Sequence, residues 1–76
     1  MHLELTAVFR EAPEGGYTAF VMEMPSAISE GDTIEEAHAN LEDAVRLLLE
    51  TSRMVAEGRI AGWPVIKQPL LIDEAA

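Results

Sequence analysis

The 76-residue sequence has no cysteine, and its two histidines, His2 and His38, lie far apart with no second ligand at metal-binding spacing. Neither disulfides nor zinc are therefore expected to support the fold. A domain of this length buries only roughly 60% of the surface that its unfolded chain would expose. Because the core is small and nothing cross-links it, we expect self-association into a homodimer or homotetramer.

Long apolar runs and a basic N-terminal stretch are also missing. No segment approaches the roughly 18 consecutive apolar residues of a membrane span. Residues 1–4 lack the basic residues and the following apolar run of a signal peptide. We therefore predict a cytoplasmic protein with no membrane partner.

Basic residues are scarce: 5 Lys and Arg face 14 Asp and Glu, the formal charge is −9, and Arg10 is the only Lys or Arg before Arg46. Such a field repels nucleic-acid phosphates and attracts basic proteins. We expect no direct binding of nucleic acid. Because acidic composition is also typical of proteins that are simply soluble, charge alone leaves both interpretations open.

The first thirty residues predict three short strands. Residues 2–10 alternate between apolar and polar, and a turn containing Gly15-Gly16 follows. Residues 17–24 are apolar on both faces, which predicts a central strand or one that a partner covers. Pro25 is expected to end this run, and residues 27–30 form the third strand.

A helical period begins at Thr33 and continues to about residue 57, with Gly58 as the expected stop. Thr33 with Glu36, or Asp32 with Glu35, can form the capping box. Residues 65–72 predict a final strand. The fold class is therefore α+β with the order β-β-β-α-β, a three-stranded antiparallel meander packed on one long helix.

Some apolar residues fall outside the surfaces that this fold would bury. Leu47 and Met54 lie beside the main stripe of the helix, and Phe20 lies on the second face of the second strand. We assign these three residues to an oligomer interface. Trp63, in the loop after the helix, is expected to be anchored against the helix.

Catalytic chemistry finds little support. The hydroxyl groups are scattered, His2 is interpreted as an exposed strand residue, and His38 as a histidine at the edge of the core. Glu4 and Glu23 would form a carboxylate pair if their strands were adjacent, but acids are so numerous that such a pair is expected by chance. No phosphate-binding glycine loop is present. We predict neither enzyme activity, nor a cofactor, nor a metal site.

Three motifs resemble the HicB-like antitoxin family of bacterial toxin-antitoxin systems. They are Gly15-Gly16-Tyr17, Met24-Pro25 and the segment Glu-Gly-Asp-Thr-Ile-Glu-Glu-Ala at residues 30–37, followed by Asn40. The resemblance implies a truncated RNase H-like fold without its catalytic acids. It also implies a partner, a small basic RNA-cleaving toxin of the HicA type.

The sequence departs from that family at two places. Ser26-Ala27 stands where most members have Gly-Cys, and the residues after Ile72 are too few for a C-terminal DNA-binding domain. We therefore expect one HicB-like domain over residues 1–76 that does not bind operator DNA. A stand-alone oligomeric module, which binds a protein or small ligand without a cognate toxin, is the alternative.

The partner surface is assigned from the acids at the end of the second strand and around the turn before the helix, together with the apolar residues Met22 and Met24. An apolar centre with a charged rim is the usual composition of a specific interface. Methionines are equally common as core filler. The assigned partner-binding residues are Met22, Glu23, Met24, Glu30 and Asp32.

Overall fold

A computed structural model describes residues 4–72 of the chain. Three strands, β1 (Ala7–Glu11), β2 (Tyr17–Val21) and β3 (Met24–Gly31), precede one helix, α1 (Ile34–Ile60). The sheet is antiparallel with the order β1-β2-β3. The predicted α+β class, the three-stranded meander and the long helix are confirmed.

The turn between β1 and β2 forms where the glycines predict it. Gly15 and Gly16 have φ values of 102° and 77°, a region that side chains with a Cβ rarely adopt. Ala12 donates its N–H to the carbonyl of Gly16 and accepts from Gly15, at 2.9 and 3.0 Å. The reversal therefore depends on local glycine conformation.

β1 is shorter than the predicted run at residues 2–10. Its last paired residue towards the N-terminus is Ala7, opposite Val21, where β2 ends. Residues 4–6 thus have no strand residue of β2 opposite them. His2 and the start of the predicted run lie outside the described residues.

The boundary between the second and third strands differs from the prediction. β2 is central, as predicted, but ends at Val21 because Met22 and Glu23 form a two-residue turn and Val21 pairs with Met24. Pro25 therefore lies inside β3 and does not end the preceding strand. Phe20 pairs with Ile28 and the next residue of β2, Val21, pairs with Met24, so residues 25–27 of β3 have no partner in β2. An irregular edge strand tolerates a proline because its missing N–H has no ladder partner there.

The core between the sheet and α1 is small. Within residues 4–72, five apolar side chains are buried, and three of them are alanines: Ala19, Val21, Ala27, Ala37 and Leu41. Six partly buried residues pack around them: Ala7, Phe9, Tyr17, Met24, Val45 and Leu48. The small number of large side chains in this core agrees with the marginal core that is expected from the chain length.

The start of α1 is capped by Thr33, one of the two predicted alternatives. The Oγ1 of Thr33 accepts a hydrogen bond from the N–H of Glu36 at 3.1 Å, while Oε1 of Glu36 accepts from the N–H of Asp32 at 3.0 Å. Two N–H groups at the start of the helix are thereby satisfied.

The end of α1 lies later than predicted. Gly58 is inside the helix, which continues to Ile60, and Gly62 takes the positive φ of 79°. Glycine in a helix interior costs only about 0.5–1 kcal/mol, so Gly58 alone does not stop the helix. The N–H of Trp63 closes the turn on the carbonyl of Ile60 at 3.0 Å. Its side chain is 71% exposed and is not anchored against the helix as predicted.

The predicted final strand is not formed within the described part of the chain. Residues 64–72 form neither helix nor paired strand, and all are exposed. A 27-residue helix is about 40 Å long, whereas an eight-residue strand spans about 26 Å, so α1 carries the segment past the sheet. Pro64 and Pro69 also lack the N–H that a strand ladder uses.

No helix within residues 4–72 combines the length and the apolar character that are needed to cross a bilayer.

Replacement of the cap residue tests the start of the helix. Thr33→Ala is expected to lower the free energy of unfolding by about 0.5–2 kcal/mol, because the N–H of Glu36 loses its acceptor. Thr51→Ala, at an exposed position inside α1, is the matched control and should be neutral or slightly stabilising. Equal effects of the two substitutions in urea unfolding would contradict the capping role.

Two glycine substitutions test the contact between β3 and α1. A Cβ at Gly31 would lie 2.6 Å from the backbone nitrogen of Ala37, so Gly31→Ala should destabilise by about 1–3 kcal/mol. A Cβ at Gly58 meets nothing within 4 Å. Gly58→Ala should therefore stabilise by about 0.4–1 kcal/mol. Thermal unfolding of both variants checks the pair, and a tolerated Gly31→Ala would refute the close approach.

Candidate functional site

The structure divides the assigned partner-binding residues between two ends of the sheet. Met22 and Glu23 lie in the β2–β3 turn, and Met24 beside them is half-buried against the core. Glu30 and Asp32 lie at the other end, where Gly31 pairs with Tyr17. At about 3.3 Å per residue, the length of β3 separates the two groups by about 20 Å. The five residues do not form one patch.

Glu23 is engaged within its own chain. One carboxylate oxygen accepts the N–H of Thr6 and the other accepts its Oγ1 hydroxyl, both at 2.7 Å. The backbone hydrogen bond from Thr6, and then its hydroxyl, lower the pKa of Glu23 below its ordinary value. These contacts tie the segment before β1 to the β2–β3 turn.

Within the described residues, the structure does not support the hypothesis that Glu4 and Glu23 form a metal-binding carboxylate pair. Both oxygens of Glu23 already accept hydrogen bonds from Thr6. Within residues 4–72, no group of three or more His, Asp or Glu side chains is placed to hold a metal ion.

Acidic side chains converge at the end of the sheet where the β1–β2 turn meets the start of α1. We call this surface the acidic end. Two adjoining shallow depressions lie there, and Tyr17 lines both of them. Five exposed acids line them: Glu11, Glu14, Glu30, Asp32 and Glu36. The pairing of Glu11 with Tyr17, and of Tyr17 with Gly31, places the three segments side by side.

Hydrogen bonds hold the backbone of the acidic end in place. Asn40 donates from Nδ2 to the carbonyl of Glu30 at 2.9 Å, and Ser29 donates from Oγ to the carbonyl of Ala37 at 2.8 Å. Both bonds join β3 to the first turns of α1. These bonds brace the segments that carry Glu30, Asp32 and Glu36.

Sequence reasoning grouped Glu30 and Asp32 but did not place Glu11, Glu14 and Tyr17 beside them. A usable signal was present. The Gly15-Gly16 turn sets the register of the first hairpin, and that register brings these residues towards the start of the helix.

A second concave feature is an apolar groove of about 300 Å³ between β1 and α1. Five apolar side chains line it: Leu5, Ala7, Val21, Leu41 and Val45. The remaining lining residues, His38, Glu42 and Arg46, all come from α1. The groove reaches the core, since Val21 and Leu41 line it.

His38 lies at the edge of the core, as its sequence position indicated. Its ring stacks on Phe9 with centroids 6.2 Å apart and an interplanar angle of 16°. Its Nδ1 lies 3.0 Å from Glu42, which also pairs with Arg46 at 3.5 Å. Because all three side chains are more than half exposed, these contacts contribute little to stability.

The residues assigned to an oligomer interface lie on two different faces. Phe20 is on the sheet face away from α1, in a row with Val8 and Ile28 across the three strands. Leu47 and Met54 are 64% and 67% exposed on the helix. The structure thus leaves apolar surface on both layers of the fold.

Comparison with known proteins identifies two bacterial relatives, both from Synechocystis sp. The UPF0150 protein ssl0738 is 48% identical over 50 residues, which cover 66% of this chain and 69% of that protein. The chain belongs to the UPF0150 family. A second member, the UPF0150 protein ssr1765, is 34% identical over 67 residues, covering 88% of this chain and 77% of that protein. Neither name states an activity or a partner of these UPF0150 proteins.

No family model and no solved structure matches this UPF0150 chain.

The contact between Thr6 and Glu23 predicts a measurable titration shift. We expect Thr6→Val to raise the pKa of Glu23 only part of the way to its ordinary value, because the N–H of residue 6 still donates. Side-chain NMR titration measures this shift. Thr18→Val is the matched control, since Thr18 Oγ1 contacts the carbonyl of Arg10 and not Glu23. An unchanged Glu23 pKa in Thr6→Val would contradict the contact.

The same contact sets a direction for stability against pH. The pKa of Glu23 is lower in the folded protein than in the unfolded chain. The contribution of Glu23 to the free energy of unfolding is therefore present above the unfolded-state pKa, and it is lost as the pH falls through the folded-state pKa. Glu23→Gln should remove this part of the acid sensitivity.

Proposed function

We propose that this UPF0150 protein is a non-catalytic protein-binding module of the HicB-like antitoxin type. It neutralises a small basic RNA-cleaving toxin of the HicA type by covering the toxin's basic surface. The observation that carries the proposal is the acidic end, where five exposed acidic residues line the same two depressions as Tyr17.

The charge distribution favours a basic partner over nucleic acid. Ten of the 14 acids precede residue 46, and Arg10 is the only Lys or Arg among those residues. At the acidic end, RNA or DNA would bring phosphates against several carboxylates. A toxin surface built to hold RNA presents the complementary charge, so that the acids compete with RNA for it.

Tyr17 gives the acidic end a centre that is not merely charged. The residue is half-buried, and it lines both depressions. Tyrosine is enriched in interfaces because a rigid apolar ring carries a polar hydroxyl. We infer that Tyr17 is the anchor and that the carboxylates form the rim.

The HicB-like assignment also draws on the motif at residues 30–37. In the fold, that motif forms the turn from β3 into α1, with Gly31 against the helix backbone and Thr33 as the cap. We infer a truncated RNase H-like fold from the same resemblance. The motif residues therefore shape the acidic end, and only the acids among them would touch a partner.

A stand-alone oligomeric module is the second candidate function. The groove between β1 and α1 favours it, because an apolar cavity with three polar residues at one side suits a small ligand or a peptide. If the chain is such a stand-alone module, the acidic end has no toxin partner.

Charge reversal tests the acidic end. Co-expression with a HicA-like protein from the same genome should restore growth with the native chain and fail with Glu14→Lys/Asp32→Lys. Asp43→Lys is the control, because it reverses one acidic charge on the exposed helix surface outside the acidic end. This variant should still restore growth. For the purified proteins, raising salt so that the Debye length falls to about 8 Å should slow association of the native pair and have less effect on the variant.

Three outcomes separate the alternatives. Equal binding by the double variant and the native chain would remove the acidic end from the interface. Failure of the native chain to bind any HicA-like protein of its genome would leave the stand-alone module. RNA cleavage by the purified chain, abolished by Glu4→Gln or Glu23→Gln, would establish an enzyme instead.

A further inference from the structure

The second half of α1 extends beyond the sheet. Leu48 is the last residue of the helix packed against the core, and residues 49–59 are all exposed. Helical segments of this length are marginal in water when no tertiary contact supports them. The sequence nonetheless keeps large apolar side chains there, with Leu49, Met54 and Val55 each more than half exposed.

The segment that follows the helix has the same character. We call residues 61–72 the arm. Every residue of the arm is exposed, and six of them are large and apolar: Trp63, Val65, Ile66, Leu70, Leu71 and Ile72. An apolar surface this extensive on one small protein marks an interaction site.

The exposed area is large enough for a stable dimer. The accessible surface is 6526 Å² for 8.3 kDa, whereas a compact monomer of this mass exposes about 4,600 Å². The difference, about 1,900 Å², lies within the roughly 1,000–2,500 Å² that each partner contributes to an obligate dimer. The Cα radius of gyration, 16.1 Å, likewise exceeds the roughly 11 Å of a compact chain of this length.

The groove beside β1 is a suitable receiving surface. Within residues 4–72, β1 pairs with β2 alone, so its outer edge presents unused backbone donors and acceptors. The other outer edge, on β3, carries Pro25 and a register shift that disfavour an added strand. The groove adjoining β1 is lined by aliphatic side chains, which match those of the arm.

Charge favours the same pairing between copies. Four of the five basic residues, Arg46, Arg53, Arg59 and Lys67, follow residue 45, whereas ten of the 14 acids precede residue 46. The C-terminal half of one copy is thus complementary to the N-terminal half of another. Glu42 at the groove is one such acid.

A second copy can also cover the flank of α1 that the chain's own arm would leave exposed. At 3.6 residues per turn, Leu47 and Met54 lie on one flank of α1 and Leu49 on the opposite flank. A single arm folded back along its own helix covers one flank at most. Two copies in antiparallel contact bring both a helix and an arm to each chain.

We propose that two copies of this chain exchange their arms, each arm lying along the outer edge of β1 and in the adjoining groove of the other copy. The exchange is independent of the acidic end, which lies at the β1–β2 turn and the start of α1. It buries the aliphatic residues of the arm and places the two helix extensions against each other through the flank that carries Leu47 and Met54.

Sedimentation equilibrium of the full chain at tens of micromolar tests the assembly. A dimer of twice 8.3 kDa is expected. Leu70→Asp or Leu47→Glu should raise the dimer dissociation constant by about tenfold or more, since each places a charge in the apolar contact. Gln68→Asp adds the same charge as Leu70→Asp without removing an apolar side chain and should have a smaller effect. A native chain that is only monomeric would overturn the proposal.

Cross-linking then tests the exchange itself. Because the native chain has no cysteine, single cysteines can be placed at Ala7, which lines the groove, and at Ile66 in the arm. Mixing the Ala7→Cys and Ile66→Cys chains with a short flexible bismaleimide should give a cross-linked heterodimer, and Ala7→Cys with Glu57→Cys should not. The double variant Ala7→Cys/Ile66→Cys gives the opposing test. If this chain formed only intramolecular cross-links, both at high dilution and at micromolar concentration, the exchange would be overturned.

Discussion

The close contact between the end of β3 and the first turns of α1 is the constraint on which the rest of the structure depends. Ala27 and Ala37 are completely buried, and the backbone at Gly31 lies so near the helix that a Cβ would meet it at 2.6 Å. Ser29 adds a hydrogen bond to the carbonyl of Ala37. Small residues let the helix lie against the sheet at this point, and the direction in which α1 leaves the sheet follows from that approach.

That tight contact has a cost in core size. Alanines allow close approach but bury little apolar area, so the sheet-helix core contributes a modest hydrophobic stabilisation. Large apolar side chains remain outside it, on the outer sheet face, on the helix extension and in the arm. In a chain of 76 residues without disulfides, burial of such surfaces against another molecule is the available source of further stability.

The two proposed contacts use opposite physical effects. At the acidic end, carboxylates concentrated by the hairpin register favour a basic protein through long-range attraction, which salt weakens. In the arm and the groove, aliphatic surfaces favour a second copy through burial, which salt affects little. The braced backbone around Asn40 and Ser29 separates these two regions, so a change in one is not expected to disturb the other.

Local sequence determined the elements of this protein, and tertiary structure decided their limits and their grouping. The Gly15-Gly16 turn, the capped start of the helix and its 3.6-residue period depend on neighbouring residues, and these predictions were confirmed. The place of Pro25 in β3 and the unpaired state of residues 64–72 depend on register and on the strand edges within reach. The acidic end is likewise a product of pairing, since Glu14 and Glu36 are distant in sequence and meet only because β1, β2 and β3 align beside the start of α1.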